Sequence, residues 1–349
     1  MRTVSIGDRE VGGDAPAMIV AELSGNHNQD FGRAVELIHA AHEAGADAIK
    51  LQTYTADTIT IDSDKPYFRL DHGTIWDGTT LYSLYQQAYT PWDWQPKLCE
   101  EAKKLGMLCF SSPFDRTAVD FMEETGMPAF KIASFEITDV PLIRYAASKH
   151  KPVILATGIA EAAEIRAAVD ACRQAGNDDV ILLKCVSAYP TPYEEVNLRM
   201  MPALGETYDT VSGLSDHTPG SAVAVAAAAL GAKMIEKHLT LRRADGGPDS
   251  AFSMEPEEFA RMIREVRIVE KALGKRDYAL TDRQRTERSL SRSLFVVQDI
   301  AEGELLSPEN IRSIRPGDGL PPARLDEVIG RRAAKKLERG EPLREGDFR

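Results

Sequence analysis

Short apolar runs rich in β-branched residues recur along the chain, separated mostly by stretches of a different period. The runs are MIVAELSG (18–25), DAIKLQTY (47–54), MLCFSSPF (107–114), AFKIASFE (129–136), PVILATG (152–158), VILLKCVSAYP (180–190), TVSGLSDHT (210–218) and KMIEKHLT (233–240). Their length and composition predict buried strands. Between most of them, segments such as FGRAVELIHAAHEAGA and EAAEIRAAVDACRQAGN carry apolar residues at i, i+3 and i+4 and a glycine near the end. That spacing predicts amphipathic helices with a C-terminal stop signal. Eight such strands alternating with helices predict an α/β fold with a parallel sheet, and the count favours closure into a (β/α)8 barrel. A doubly wound open sheet is the alternative, weakened because no GxGxxG follows the first strand.

One connection breaks the rhythm. Residues 55–90 form a link far longer than the ~2–6 residues usual between strand and helix. A loop of that length after a barrel strand is expected to cover a ligand or an interface. The helical pattern EPEEFARMIREVRIVEKALG ends at Gly274, and the charged KRDYALTDRQRTER after it reads as a linker. Beyond it, SLFVVQDI and the turn-rich RPGDGLPP predict a small, mostly β domain. The expected division is residues 1–280 for the barrel and 281–349 for the linker and second domain. A module of ~60 residues is marginal alone, so this one is expected to dock on something.

Composition narrows the function. With 43% hydrophobic and 28% charged residues, the 349-residue chain has the make-up of a soluble globular protein. No run of ~18 apolar residues offers a membrane span, and MRTVSIGDREVGGD lacks the apolar core of a secretory signal. A net charge of −12 argues against nucleic acid or an anionic membrane as partner. That charge lies before residue 284, since 13 Lys/Arg face 12 Asp/Glu from there on. The four cysteines (Cys99, Cys109, Cys172, Cys185) show no CxxC spacing, so reduced structural thiols and a cytoplasmic setting are expected.

The informative anomaly is charge inside the strands: Glu22, Lys50, Lys131 and Lys184. Lysine is almost never buried without a partner. Any one of these could be an interior residue paired to a carboxylate. Several together near C-terminal strand ends, where barrel active sites lie, point to an anion site. Ser111, Ser134, Ser187 and Ser215 supply hydroxyls suited to phosphate or carboxylate, whereas Ser112 is assigned to a helix N-cap. Alternation puts Lys50 with Gln52, Ser215 with His217, and Glu236 with His238 on shared faces. His217 and His238 end consecutive strands, so they are candidate ligands for a divalent cation with open positions; two separately hydrogen-bonded histidines are the bland alternative. His27, His39, His42, His72 and His150 are assigned no chemistry.

AELSGNHN, KLQTY, FSSPFD, KIASFE, ATG, YPTPYE, GLSDHT, EKHLT and GPDSAFS together resemble the barrel motifs of the sialic acid (nonulosonic acid) synthase family. Residues 288–349 resemble its C-terminal antifreeze-like (SAF) domain, and GTIWDGTTLYSLYQQAYTPWDW is most similar to the pseudaminic branch. The resemblance implies condensation of phosphoenolpyruvate with 2,4-diacetamido-2,4,6-trideoxy-altrose, dependent on Mn2+, Mg2+ or Co2+ held by His217 and His238. It assigns Lys50, Lys131, Ser134, Ser187 and Ser215 to phosphoenolpyruvate and Glu22 to acid/base work. Gln52, Glu136, Tyr189 and Asp249 are assigned to the sugar, with Arg315 reaching it from the second domain of a domain-swapped homodimer. Ala156 stands where related enzymes often carry Ser, which implies one hydroxyl fewer on the phosphate. The alternatives are an N-acetylneuraminate or legionaminate synthase, a Schiff-base aldolase using Lys131 or Lys184, and a non-catalytic sugar-binding protein.

Overall fold

The computed structural model describes residues 2–71, 73 and 75–349; His72 and the Thr74 of the insertion motif lie outside the described residues. The chain divides into two units, Met1–Gly274 and Lys275–Arg349.

The first unit opens with a hairpin that the sequence patterning did not reveal, β1 (Thr3–Ile6) and β2 (Arg9–Gly12), paired antiparallel. Eight strands follow: β3 (Met18–Glu22), β4 (Ala48–Thr53), β5 (Leu108–Pro113), β6 (Phe130–Ile132), β7 (Val153–Ala156), β8 (Val180–Lys184), β9 (Val211–Asp216) and β10 (Met234–His238). They close into one barrel in sequence order, with β10 returning to pair with β3, every ladder parallel. Each of the eight apolar runs supplies one of these strands, and the ring is a (β/α)8 barrel rather than an open sheet.

The alternation of side chains sorts the strands into two faces. Ile19, Ala21, Ile49, Leu51 and Ile235 turn outward onto helices α1 (Phe31–Ala44) and the long Pro256–Leu273 helix. Asp30 caps α1 by accepting from the Arg33 N–H, and Gly45, at φ 92°, ends it in the left-handed conformation that glycine tolerates. Inside the barrel, Met18, Val20, Ala48, Phe110, Ala129, Ile154, Ile181, Val211 and Met234 form an apolar layer. Val4, Ile6 and Val11 of the hairpin join that layer and so close the N-terminal end of the barrel. Further along the same face of these strands stand Glu22, Lys50, Ser112, Lys131, Ser215 and Glu236, all buried.

The abnormal link after β4 is partly ordered into short helices, Ala56–Ile59 and Leu81–Ala88. Among the described residues no helix is long and apolar enough to cross a membrane. The expectation of four reduced thiols is wrong for two of them. Cys99 and Cys109 form a disulfide, while Cys172 and Cys185 are free and buried. The bridge joins the Gln95–Lys104 helix to the outer face of β5 with Cα atoms 5.1 Å apart, a proximity created by helix-on-barrel packing.

The second unit holds β11 (Ser293–Val296) and β12 (Ile311–Ile314), antiparallel, with isolated bridges extending the β character. Leu294, Val296, Ile300, Leu306, Ile311, Val328, Leu337 and Leu343 make its small core. Arg315 is exposed immediately beyond β12.

Candidate active site

A cavity of about 590 Å³ opens at the C-terminal mouth of the barrel. Lys50, Gln52, Lys131, Ser134, Glu136, Tyr189, Ser215, His217, His238 and Asp249 all line it, so most of the residues singled out in the sequence converge. Residues of the long link form much of the wall, among them Ile59, Leu70, Leu81, Leu84 and Tyr85. The link therefore covers the cavity, as its length predicted.

Beneath the mouth lies a cluster of two lysines and two carboxylates. Lys50 contacts Glu22 directly, donates to the Ser112 hydroxyl at 3.2 Å, and approaches Glu236 at 3.6 Å. Lys131 donates to Glu236 at 3.0 Å, and the Ser215 hydroxyl reaches the same oxygen at 3.3 Å. The two carboxylates respond differently. Burial raises the Glu22 carboxyl, and the attraction of Lys50 does not cancel that effect. Burial also works against ionisation of Glu236, but Lys131 and Lys50 overcome it and hold Glu236 below the usual carboxylate range. Burial therefore opposes ionisation most effectively at Glu22, while the two lysines favour the charged form of Glu236. Sequence reasoning noted the face of Glu236 but gave it no role; its signal was a carboxylate two residues before a strand-end histidine.

Ser112 corrects an expectation. It lies on β5, fully buried against Lys50, while Asp115 caps the following helix by accepting from the Ala118 N–H at 3.0 Å. Ser111 faces outward to Thr53 at 2.6 Å and takes no part in the cavity. Lys184, an aldolase candidate, also has outward parity, and its ammonium donates to the Cys185 carbonyl at 2.8 Å. Ser134 accepts from the Gly158 N–H at 3.1 Å. A Cβ on Gly158 would lie 2.3 Å from the Ser187 hydroxyl, so only glycine lets Ser134 and Ser187 stand this close to the chain. Ala156 faces inward on the same segment, buried and without a hydroxyl.

The rings of His217 and His238 lie 5.2 Å apart, centroid to centroid, with Tyr189 4.4 Å from His217 and Phe252 5.0 Å from His238. Nδ1 of His217 is 3.1 Å from the Val186 carbonyl, which assigns the proton to Nδ1 and leaves Nε2 as the free lone pair. Nδ1 of His238 is buried without a hydrogen-bond partner among the described residues. Burial and the neighbouring cations keep His238 neutral; Cys185 and the Val186 carbonyl offset burial and raise His217, so a cation at its Nε2 would have to displace a proton. Among the described residues no three His, Cys, Asp or Glu side chains gather into a closed metal site. Two imidazoles with available lone pairs fit a cation that takes its remaining ligands from water and substrate oxygens.

Two of the other histidines make structural contacts. His27 is buried, with Nε2 3.1 Å from the Thr90 hydroxyl and Nδ1 accepting from the Gln29 N–H; burial lowers it to about 4. His39 pairs with Glu101 at 3.1 Å on the surface.

The sequence model described as the NeuB family matches residues 37–278, and that of the SAF domain matches 291–349. The chain belongs to the NeuB family. Among relatives of this NeuB member, the pseudaminic acid synthase of Helicobacter pylori is 46% identical, covering 95% of this chain and 98% of that protein. The pseudaminic acid synthase of Campylobacter jejuni is 43% identical over 96% and 98%. Among solved structures, the N-acetylneuraminic acid synthetase of Leptospira borgpetersenii in complex with citrate aligns with a TM-score of 0.73 at 31% identity. That alignment covers 82% of this chain and 95% of the synthetase.

Proposed function

We propose that this NeuB-family chain is a pseudaminic acid synthase. It condenses phosphoenolpyruvate with 2,4-diacetamido-2,4,6-trideoxy-L-altrose and water, giving pseudaminic acid and phosphate. The observation that carries this reading is the buried Lys50–Lys131 cluster opening onto the same cavity as two imidazoles. An anion and a cation could be held there side by side, as an enol phosphate and an activated aldehyde require.

Lys50 and Lys131, with Ser134, Ser187 and Ser215, would hold the phosphate and carboxylate of phosphoenolpyruvate through charge-assisted hydrogen bonds. The anion would take over lysine contacts that Glu22 and Glu236 now fill. Mn2+, Mg2+ or Co2+ at His217 and His238 would supply Lewis acidity toward the sugar aldehyde. C3 of phosphoenolpyruvate then attacks the aldehyde carbon, leaving an oxocarbenium at C2. Glu22 gives its proton to the alkoxide left on the former aldehyde oxygen, then as a carboxylate orients the water that adds at C2 and takes its proton. The tetrahedral species loses phosphate by C–O cleavage as its C2 hydroxyl becomes the keto group, that proton leaving with the phosphate. Gln52, Glu136, Tyr189 and Asp249 would hold the sugar. Arg315 would complete the site from the second unit of a partner chain in a domain-swapped homodimer.

The deciding experiment supplies phosphoenolpyruvate, manganese and a panel of open-chain amino sugars, and follows phosphate release and product mass. Fastest release with the trideoxy sugar, and a product of the expected mass, supports the reading. Preference for another amino sugar overturns the substrate assignment. A borohydride-trapped lysine adduct overturns the mechanism.

A further inference from the structure

Ser24 is the first residue but one after β3, and it sits in the left-handed region at φ 46°, where a side chain is a liability that glycine avoids. It is also buried, at 2% exposure. A serine kept in such a conformation has something to hold. Its hydroxyl donates to Oδ2 of Asp249 and accepts from Nε2 of Gln52 at 3.3 Å. Gln52 simultaneously donates to Oε1 of Glu22 at 3.2 Å, and the Ser24 N–H donates to that oxygen at 3.0 Å. Gln52 and Asp249 line the cavity, whereas Ser24 does not.

We propose that Ser24 is a positioning residue for the sugar subsite. One hydroxyl couples the Asp249 carboxylate to the Gln52 amide, and so fixes the aim of two side chains that come from β4 and from the segment after β10. Burial alone raises the Asp249 carboxyl; the Ser24 hydroxyl opposes that shift and keeps a fixed acceptor facing the cavity. Phosphoenolpyruvate is held by other groups and is insensitive to this link.

The inference rests on the synthase reading. Its test compares Ser24→Gly and Ser24→Ala with the unaltered enzyme in steady-state kinetics, using whichever amino sugar of the panel turns over fastest. Both variants keep the backbone N–H to Glu22 and lose the hydroxyl. Ser24→Gly also removes the backbone liability that Ser24→Ala keeps, so its melting temperature is expected to equal or exceed that of Ser24→Ala. The expected result is a sugar KM raised about tenfold in both variants, the loss of one hydrogen bond to a charged group, with the phosphoenolpyruvate KM within about twofold. An unchanged sugar KM, or an equal rise in both KM values, overturns the proposal. Preference for a different sugar overturns the substrate assignment while leaving this comparison readable; absence of turnover with every sugar overturns both.

Discussion

The two ends of the barrel interior are built from the same strands, one pleat apart, and they obey opposite rules. At the closed end, Val20, Ala48, Phe110, Ala129 and Met234 pack on the hairpin with no polar atom to satisfy. At the open end, Glu22, Lys50, Ser112, Lys131 and Glu236 take the next inward positions on those strands and are equally buried. Burial is common to both, so burial does not distinguish stability from function here. The difference lies in whether removing a group empties a hydrophobic layer or unbalances a set of charges. A buried ion cluster is often no more stabilising than an apolar filling of the same space, and this one stands where a ligand can replace its internal partners.

Substitutions at the two ends should therefore part company. The largest effect is expected at the open end: His217→Ala and His238→Ala should each lower manganese-dependent phosphate release by ~10³-fold or more while thermal unfolding stays near that of the unaltered protein. Full turnover by either in chelator would refute the imidazole assignment. At the closed end, Phe110→Ala should cost about 3–5 kcal/mol in denaturant unfolding, with both KM values little changed where the protein remains folded. A selective change in one KM would mean the layers are coupled. Returning to the mouth, Glu22→Gln should retain phosphoenolpyruvate binding by calorimetry but condense on the order of 10²-fold more slowly. Unchanged turnover would remove Glu22 from proton handling.

The smallest contrast concerns pH. Burial pushes Glu136 from its ordinary 4.5 up to about 7, with Lys131 pulling the other way. A carboxyl with a raised pKa in the folded state favours folding while protonated. Stability is therefore lost as pH rises from about 4.5 through 7. Glu136→Gln should be more stable than the unaltered protein by on the order of 2 kcal/mol at pH 8 and nearly equal at pH 4.5. Parallel stability curves for the two proteins would show that Glu136 does not titrate near neutrality.

Much of this was legible because a β-strand reports its faces in the sequence. Lysine at position 50 among Ala48, Ile49 and Leu51 is conspicuous without a structure, and parity puts it on the cavity side with Gln52. The same rule placed Ser215 with His217 and Glu236 with His238, as observed in the cavity lining. What was missed depends on proximity between distant segments. The hairpin at Thr3–Gly12 does alternate in TVSI, but over four residues, too few to stand out, and only its packing with Phe110 and Met234 explains Val4, Ile6 and Val11. The Cys99–Cys109 bridge needs a helix to lie across a strand. Ser112 looked like a cap because serine before a helix usually is one, and Asp115 does that work instead. Ser24 was hidden in plain view: no single-sequence pattern reports a positive φ.

Barrel closure has a temporal consequence. His238 pairs with Glu22 across the seam where the last strand meets the first. The proposed base and one proposed cation ligand become neighbours only once the ring is shut. A refolding chain could regain nearly all of its helical signal and still be chemically silent. Recovery of turnover would then clock the final stitching of that seam.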